Sequence, residues 1–131
     1  MPQALQLFSK EIILDYTDLT VWQKSMDLVA EVYKIVKKLP KEELFALSNQ
    51  MRRAVVSIPS NIAEGFGRAS TKDYLHFLTI ARGSVYETET QLRLCVIIGY
   101  ISEKDIEPIS EMLKEIKSML NSMVGKMMKQ P

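Results

Sequence analysis

The sequence contains very few of the side chains on which disulfide scaffolds, metal sites and nucleophilic catalysis depend. Among 131 residues there is one cysteine, Cys95, and one histidine, His76. A single cysteine excludes an internal disulfide framework, and one histidine leaves no His and Cys cluster of the kind that binds zinc. Cys95 lies among Leu94, Val96 and Ile97, which is typical of a buried small hydrophobe and not of a reactive thiol.

Long apolar runs and an excess of one charge are also missing. No stretch approaches the roughly 18 uninterrupted apolar residues of a membrane span, and the amino terminus has no signal-peptide pattern. Seventeen basic residues against 16 acidic ones give a net charge of +1, so the whole chain has no general attraction to nucleic acid or to an anionic membrane. Nucleic-acid binding would need a local basic patch or one built by several subunits. We expect a soluble, cytoplasmic protein without a membrane partner.

No catalytic constellation emerges from the remaining polar residues. Asp73 and His76 form one carboxylate–histidine pair with no second copy, unlike the repeated pairs of metal-binding bundles. Cys95 lies 19 residues from His76 on one predicted helix, about 28 Å away, so the two cannot act together. The turn at residues 65–67 lacks the Lys-Ser/Thr pair of a phosphate-binding loop. The sequence therefore predicts no catalytic residue, no metal and no cofactor, and a protein that is not an enzyme.

Helical periodicity dominates the rest of the sequence. Apolar residues recur at steps of three and four and predict four helices: Thr20 to Lys38, Lys41 to about Phe66, the Ser70 cap to about Ile98, and the Ser102 cap onward. Thr20 with Gln23 is a candidate capping box. Pro59 interrupts the second helix but the apolar rhythm resumes on the same face, which predicts a kinked helix and not an ended one. Pro108 either lies within the fourth helix or delays its start by a turn.

Strand-like alternation is absent from the body of the chain. Four helices with short connections predict an all-α, antiparallel, up-down-up-down four-helix bundle over residues 17–129. Residues 1–16 are too apolar for a free tail, and we expect an N-terminal leader that forms an arm over this bundle or over a neighbouring one.

The apolar faces are wider than one bundle core requires. A bundle helix needs roughly a 3/7 apolar face, and the predicted helices carry further apolar positions: Phe77, Ile80, Leu94 and Ile97 on the third helix, and Met112, Met119, Val124 and Met128 on the fourth. Monomers rarely expose large contiguous apolar patches. We therefore expect a homo-oligomer with side-by-side bundles.

Polar residues also occur at core-like spacing. One stripe on the second helix holds Arg53, Ser57, Asn61 and Glu64, and one on the third helix holds Arg82, Tyr86, Glu89 and Arg93. Two interpretations of these polar residues are open. In the first, the stripes form a hydrogen-bonded network that fixes helix register or subunit pairing. In the second, a basic surface for a phosphate backbone is lined by Arg52, Arg53, Arg68, Lys72 and Arg82. An enzymatic role rests on the first stripe alone. Arg52 and Arg53 point about 100° apart, so we expect one to be structural and the other to face outward.

Three segments resemble one bacterial family. They are Asp18–Lys24, Gln50–Gly65, which contains Ser-Ile-Pro-Ser-Asn-Ile-Ala-Glu-Gly, and Phe77–Ser84 with Glu87. Together they are similar to the four-helix-bundle proteins encoded in intervening sequences of 23S ribosomal RNA genes. The similarity covers about residues 18 to 125. The motif positions are Arg53, Ser57, Pro59, Asn61, Glu64, Gly65, Arg82, Gly83, Ser84 and Glu87.

The resemblance implies a function as well as a fold. The family is also similar to the accessory protein of diversity-generating retroelements, a basic pentameric barrel that binds nucleic acid and its reverse transcriptase. It thus implies a homopentamer that associates with ribosomal RNA or other nucleic acid, with a protein partner such as a reverse transcriptase. From the residues themselves we expect nucleic-acid contacts at Arg52, Arg68, Lys72 and Arg82, and a structural polar network of Arg53, Ser57, Asn61, Glu64, Ser84 and Glu87. The alternative is a protein-interaction scaffold that binds no nucleic acid.

Overall fold

Four long helices make up the body of the molecule in the computed structural model, which describes residues 6–8 and 11–129 and side chains from residue 12 onward. The helices are α1 (Thr20–Val36), α2 (Leu47–Phe66), α3 (Thr71–Ile98) and α4 (Glu103–Met128). Consecutive helices pack on each other, and α1 also packs on α4, so the four surround one core. Because short connections join them, neighbouring helices run antiparallel. The predicted all-α four-helix bundle is confirmed.

A small β-hairpin precedes the bundle within the predicted leader. Strand β1 (Gln6–Phe8) pairs antiparallel with β2 (Glu11–Ile13). Ile13 is buried in the bundle core, whereas Ile12 and Leu14 are exposed. The hairpin is therefore anchored to the bundle at its last strand. The other positions before residue 11 lie outside the described residues.

The start of α1 differs from the prediction. Its N-cap residue is Leu19, without a side-chain cap, so the predicted capping box of Thr20 with Gln23 is wrong. A 3₁₀ turn over Tyr16–Asp18 leads into the helix, and the Gln23 side-chain amide donates instead to the carbonyl of Thr17 at 2.8 Å. α1 ends two residues before the predicted position, within the usual variation of helix boundaries.

The start of α2 is a second correction, because the helix begins six residues later than predicted. Lys41–Glu43 form a separate 3₁₀ turn, and Ala46 adopts φ −124° and ψ −104°, which interrupts the helical path. The Glu43 carboxylate accepts a bond from the Tyr100 hydroxyl at 2.7 Å and lies 3.5 Å from the Leu47 backbone nitrogen. Glu43 therefore supports the start of α2 from outside the helix, which sequence periodicity does not reveal.

Both prolines in helical sequence lie inside continuous helices, Pro59 in α2 and Pro108 in α4. A capping box starts α4: the Ser102 hydroxyl accepts from the Asp105 backbone at 3.2 Å, and the Asp105 carboxylate accepts from the Ser102 backbone at 2.9 Å. The alternative in which Pro108 delays this helix is therefore wrong. The continuity of α2 across Pro59 is confirmed, and a bend there stays a prediction.

The ends of α3 are those predicted. The Ser70 hydroxyl accepts a hydrogen bond from the backbone of Asp73 at 3.1 Å. Gly99 terminates the helix with φ +97°, a conformation that glycine adopts without strain.

The core is built from one apolar side of each helix. On α1, Leu28, Val32 and Ile35 are buried, whereas Met26 and Tyr33 are exposed. The seam of α3 is buried throughout: Tyr74, Leu78, Ala81, Val85, Thr88, Leu92 and Cys95. One subunit thus leaves part of its apolar surface uncovered. None of the described helices has the length and apolar character needed to cross a membrane.

Candidate functional site

The longest helix contact in the molecule, between α2 and α3, contains a small polar network. The Asn61 side-chain amide donates to the Ser57 carbonyl at 2.7 Å and to the Ser57 hydroxyl at 2.8 Å. The Ser84 hydroxyl of α3 forms a 2.8 Å hydrogen bond with the Ser57 hydroxyl. Three of the six residues of the predicted network are therefore joined. We call Ser57, Asn61 and Ser84 the seam network.

Gly65 explains why α2 and α3 approach so closely at the far end of this seam. A Cβ atom at Gly65 would lie 2.8 Å from the Cβ of Phe77 and 3.0 Å from the Cδ1 of Tyr74. Since carbon atoms do not approach so closely without strain, only glycine fits at this position in the observed packing.

Arg53 and Glu87 lie beside the seam network but do not bond to it. Both are exposed, and among the described residues they form no ion pair, although they line the same cavity of about 420 Å³. We call this opening the seam cavity; it is lined by Phe45, Ala46, Asn49, Gln50, Arg53, Ala54, Ser57, Ser84 and Glu87. It therefore presents one unpaired cation, one unpaired anion and two hydroxyl groups.

Two further residues of the seam were not predicted. Gln91 is 95% buried, because only 5% of its surface is exposed, and its Oε1 has no hydrogen-bond donor within the described chain. Its amide nitrogen lies 3.5 Å from the Glu87 carboxylate. Phe45, which lines the seam cavity, is 90% exposed. Gln91 could have been found from the sequence, because its seven-residue step from Ser84 places the two on the same side of a helix. Nothing in the local sequence marks Phe45.

Apolar side chains surround the seam cavity on the outside of the bundle. Ile80 and Leu94 on α3 are each seven residues from Glu87 and so lie on its side of the helix, and each exposes more than a third of its surface. Ile97 and Ile98 extend this surface to the end of α3. We call the seam cavity with these four residues and Phe45 the outer face. A soluble subunit rarely exposes so many large apolar groups together.

The second predicted polar stripe has a different role, because it faces α4. Lys117 donates to both carboxylate oxygens of Glu89 at 3.0 Å, and its ammonium lies 5.5 Å from the ring centre of Tyr86. Arg93 binds the Glu103 carboxylate at 3.0 Å. These bonds tie α3 to α4 along the bundle edge.

The four residues predicted to contact nucleic acid do not form one cluster on a subunit. Arg68 pairs with Glu64 at 2.8 Å and stacks over Phe77 at 4.7 Å. Lys72 is exposed near the turn between α2 and α3. Arg82 donates a hydrogen bond to a side chain of α4 at 3.2 Å. Arg52 lies on the side of α2 that faces α1, and its position is about 20 Å along the helix from the α2–α3 turn.

The groups that could perform chemistry are dispersed or buried. Cys95 is buried with its sulfur 3.5 Å from that of Met51, and burial raises the pKa of its thiol to about 11. Burial also raises the pKa of Tyr74 well above its usual value, and its hydroxyl has no partner in the described chain. His76 is exposed on α3. In the part of the chain that the structure covers, no group of three His, Cys, Asp or Glu side chains is placed to hold a metal.

Comparisons with known proteins agree on the family. The model of the 23S rRNA-intervening sequence protein family matches residues 17–122. The fold is similar to the crystal structure of a protein with unknown function from the S23 ribosomal protein family from Bacteroides thetaiotaomicron, with a TM-score of 0.74 and 30% sequence identity over 80% of this chain and 98% of that chain. No curated protein matches the chain significantly. The chain therefore belongs to the 23S rRNA-intervening sequence protein family.

Proposed function

We propose that this protein is a self-assembling, non-enzymatic helical bundle that serves as an accessory protein of ribosomal RNA or a ribonucleoprotein. The observation that carries the proposal is the outer face, where exposed apolar side chains surround a polar cavity with an unpaired cation and anion. Interfaces between proteins have this composition, with apolar contact area around polar groups that need partners.

The outer face favours another copy of the same chain over a small ligand. Arg53 and Glu87 line one cavity without pairing, so the same two residues of a neighbouring subunit are suitable partners for them. Gly83 lies on the same side of α3, and a Cβ there would meet no atom within 4 Å, so a neighbouring backbone has room to approach closely. The family resemblance makes five copies the expected number.

The nucleic-acid part of the proposal depends on assembly. A chain with a net charge of +1 has little attraction to RNA by itself. A ring of subunits repeats each local cation, such as Lys72 and Arg52, once per subunit. The assembly then binds one RNA at several sites, and the weak phosphate contacts of the subunits add up to a higher affinity. The name of the family supports ribosomal RNA as the first candidate, and a reverse transcriptase stays the expected class of protein partner.

The assembly is tested by the molar mass of the wild type and two variants in light scattering. Ile97→Asp places a charge on the outer face, so we expect it to reduce a multi-subunit mass toward that of one chain. Met128→Asp changes another highly exposed apolar residue, at the end of α4 and away from this face, and should leave the mass unchanged. A wild type that is monomeric at micromolar concentration would contradict the proposal.

Association with RNA is tested by binding to structured ribosomal RNA over a range of salt. Affinity that decreases as salt rises supports the proposal, because phosphate contacts release counterions. No affinity at low salt would favour the second candidate, a protein-interaction scaffold without nucleic acid, for which the outer face alone is the supporting observation.

A further inference from the structure

A second cavity lies on the opposite side of α2 from the seam cavity, at the corner where α1 ends and α2 begins. It has a volume of about 380 Å³, within the range of small-molecule sites. We call it the corner cavity; it is lined by Tyr33, Val36, Lys37, Leu39, Pro40, Lys41, Leu44, Ser48 and Arg52. Neither of the polar stripes contributes to it.

Three cations from three different elements surround this cavity without neutralisation. Lys37 follows α1, Lys41 belongs to the 3₁₀ turn, and Arg52 lies on α2; none forms an ion pair with an acid of the described chain. Two lysines of the same region are paired, Lys34 with a glutamate of α1 and Lys38 with Asp105. The helix dipole explains a lysine at the end of α1, but it does not explain the other two cations.

The floor and one wall of the cavity carry polar and aromatic groups that lack partners. Ser48 is 97% buried, since only 3% of its surface is exposed, and its hydroxyl forms no hydrogen bond with the described residues. The buried polar atoms that lack a partner in the described chain do not include this hydroxyl, so it reaches the open space of the cavity and is available to a bound group. Tyr33 exposes 38% of its surface beside it and also forms no hydrogen bond within that part of the chain.

An unpaired nucleotide carries groups that complement the aromatic ring, the hydroxyl and the three cations of this cavity. A nucleobase stacks on an aromatic ring and offers polar edges to a hydroxyl, while its phosphates bind lysine and arginine. A fatty acid would supply one carboxylate for three cations and nothing for the Ser48 hydroxyl. We propose that the corner cavity receives one unpaired nucleotide of a single-stranded RNA segment. The base packs on Tyr33 above Ser48, and the flanking phosphates contact Lys37, Lys41 and Arg52.

This assignment rests on the proposed association with RNA and makes that association specific for single strands. It also gives Arg52 and Arg53 separate roles. Arg52 faces the corner cavity, and Arg53 lies in the seam cavity on the other side of the same helix.

The experiment measures fluorescence anisotropy of a labelled oligouridylate of roughly a dozen nucleotides with the full-length protein. We expect Arg52→Gln and Tyr33→Ala to weaken binding about tenfold, whereas Tyr33→Phe keeps the ring and should stay within about a factor of two. Lys126→Gln, an exposed lysine near the end of α4 and at the other end of the bundle from this cavity, is the control and should also bind as the wild type does. Between about 50 and 200 mM salt, the log–log slope of Arg52→Gln should be shallower by about 0.7, which corresponds to one lost phosphate contact on a single strand.

Each alternative result has a definite meaning. Wild-type binding that Arg52→Gln and Tyr33→Ala leave unchanged would overturn the corner cavity as the site but keep the RNA association. No wild-type binding at low salt would overturn both. Equal affinity for an RNA duplex of the same length, or displacement by poly-glutamate with no effect of Tyr33→Ala, would show that no unpaired base is required and would also overturn the site. Lys41→Gln, at an exposed position, provides a second variant if Arg52→Gln unfolds.

Discussion

At the scale of single residues, the hydroxyl of Ser57 joins α2 to α3. It bonds to both Asn61 and Ser84, and Ser84 is buried. A serine on a helix surface normally finds water or its own backbone. Here the hydroxyl is one of few polar atoms that fix the relative position of two long helices, because apolar contacts alone tolerate sliding.

Ser57→Ala should lower the free energy of unfolding by about 1–2 kcal/mol, because it leaves the buried Ser84 hydroxyl and the Asn61 amide without this partner. The measurement is equilibrium unfolding in denaturant. Ser60→Ala, an exposed serine on the same helix, is the control and should change stability by less than about 0.5 kcal/mol. Equal losses in the two variants would contradict the structural role of the seam network.

Gly65→Ala is expected to destabilise the protein by about 1–3 kcal/mol through steric overlap with Phe77 and Tyr74. Gly125→Ala, in α4, has no atom within 4 Å of its new Cβ and should stabilise by about 0.5–1 kcal/mol through helix propensity. The same denaturation experiment tests both, and a stabilising Gly65→Ala would show that the helices have space to separate.

At the scale of elements, the helix starts show the largest differences between local sequence and structure. α4 begins at a capping box that its own residues complete, and it was predicted correctly. α2 begins where a carboxylate from the preceding 3₁₀ turn and a hydroxyl from the α3–α4 connection meet, Glu43 with Tyr100. A helix start of this second kind requires the tertiary fold.

The α4 cap predicts a pH dependence. Backbone and side-chain hydrogen bonds from Ser102 and the ammonium of Lys38 lower the pKa of Asp105. Because the folded pKa lies below the unfolded value of about 3.9, the stabilisation is present above about pH 4 and is lost as pH falls through the folded pKa. Asp105→Ala should therefore be less stable than the wild type at neutral pH.

The difference in stability between the wild type and Asp105→Ala should become smaller in acid. Thermal unfolding measured from neutral pH to about pH 3 tests this. Glu107→Gln, an exposed acid on the same helix that forms no ion pair within the described residues, is the control and should keep a small stability difference from the wild type throughout. A constant difference for Asp105→Ala would show that its charge does not contribute.

At the scale of the whole molecule, the bundle buries one seam of each helix and leaves the outer face uncovered. The predicted width of the apolar faces is confirmed in part: Ile80, Leu94, Ile97 and Met128 remain exposed after the bundle is complete, whereas Val124 is buried in the core. Such a surface is compatible with a soluble protein when other copies cover it.

Assembly through this face should link stability to concentration. Because subunits that bind only in the folded state stabilise it by mass action, the wild-type Tm should rise by a few degrees with each roughly tenfold increase in protein concentration. Ile97→Asp should have a Tm that is lower and independent of concentration. Differential scanning calorimetry at several concentrations tests this, and a constant wild-type Tm would contradict assembly.

The sequence alone determined the four helices, both ends of α3, the start of α4, most of the bundle core and the family. Apolar residues at steps of three and four show which side of a helix is buried. A cap such as Ser102 with Asp105 is formed by residues close together in the chain. Both features therefore depend on local sequence. The family motif located Ser57, Asn61 and Ser84 before any contact was known.

Only the tertiary structure decided which polar residues meet. It joined Ser57 to Ser84 across 27 residues, separated Arg52 from Arg68 and Arg82, and assembled Tyr33, Ser48 and Arg52 around the corner cavity. It also decided that α1 turns Leu28 and Val32 toward the core and leaves Met26 exposed. These results depend on helix rotation and on side chains far apart in the chain. Local spacing specifies a helix face, but the partner of that face is fixed by the packing of all four helices together.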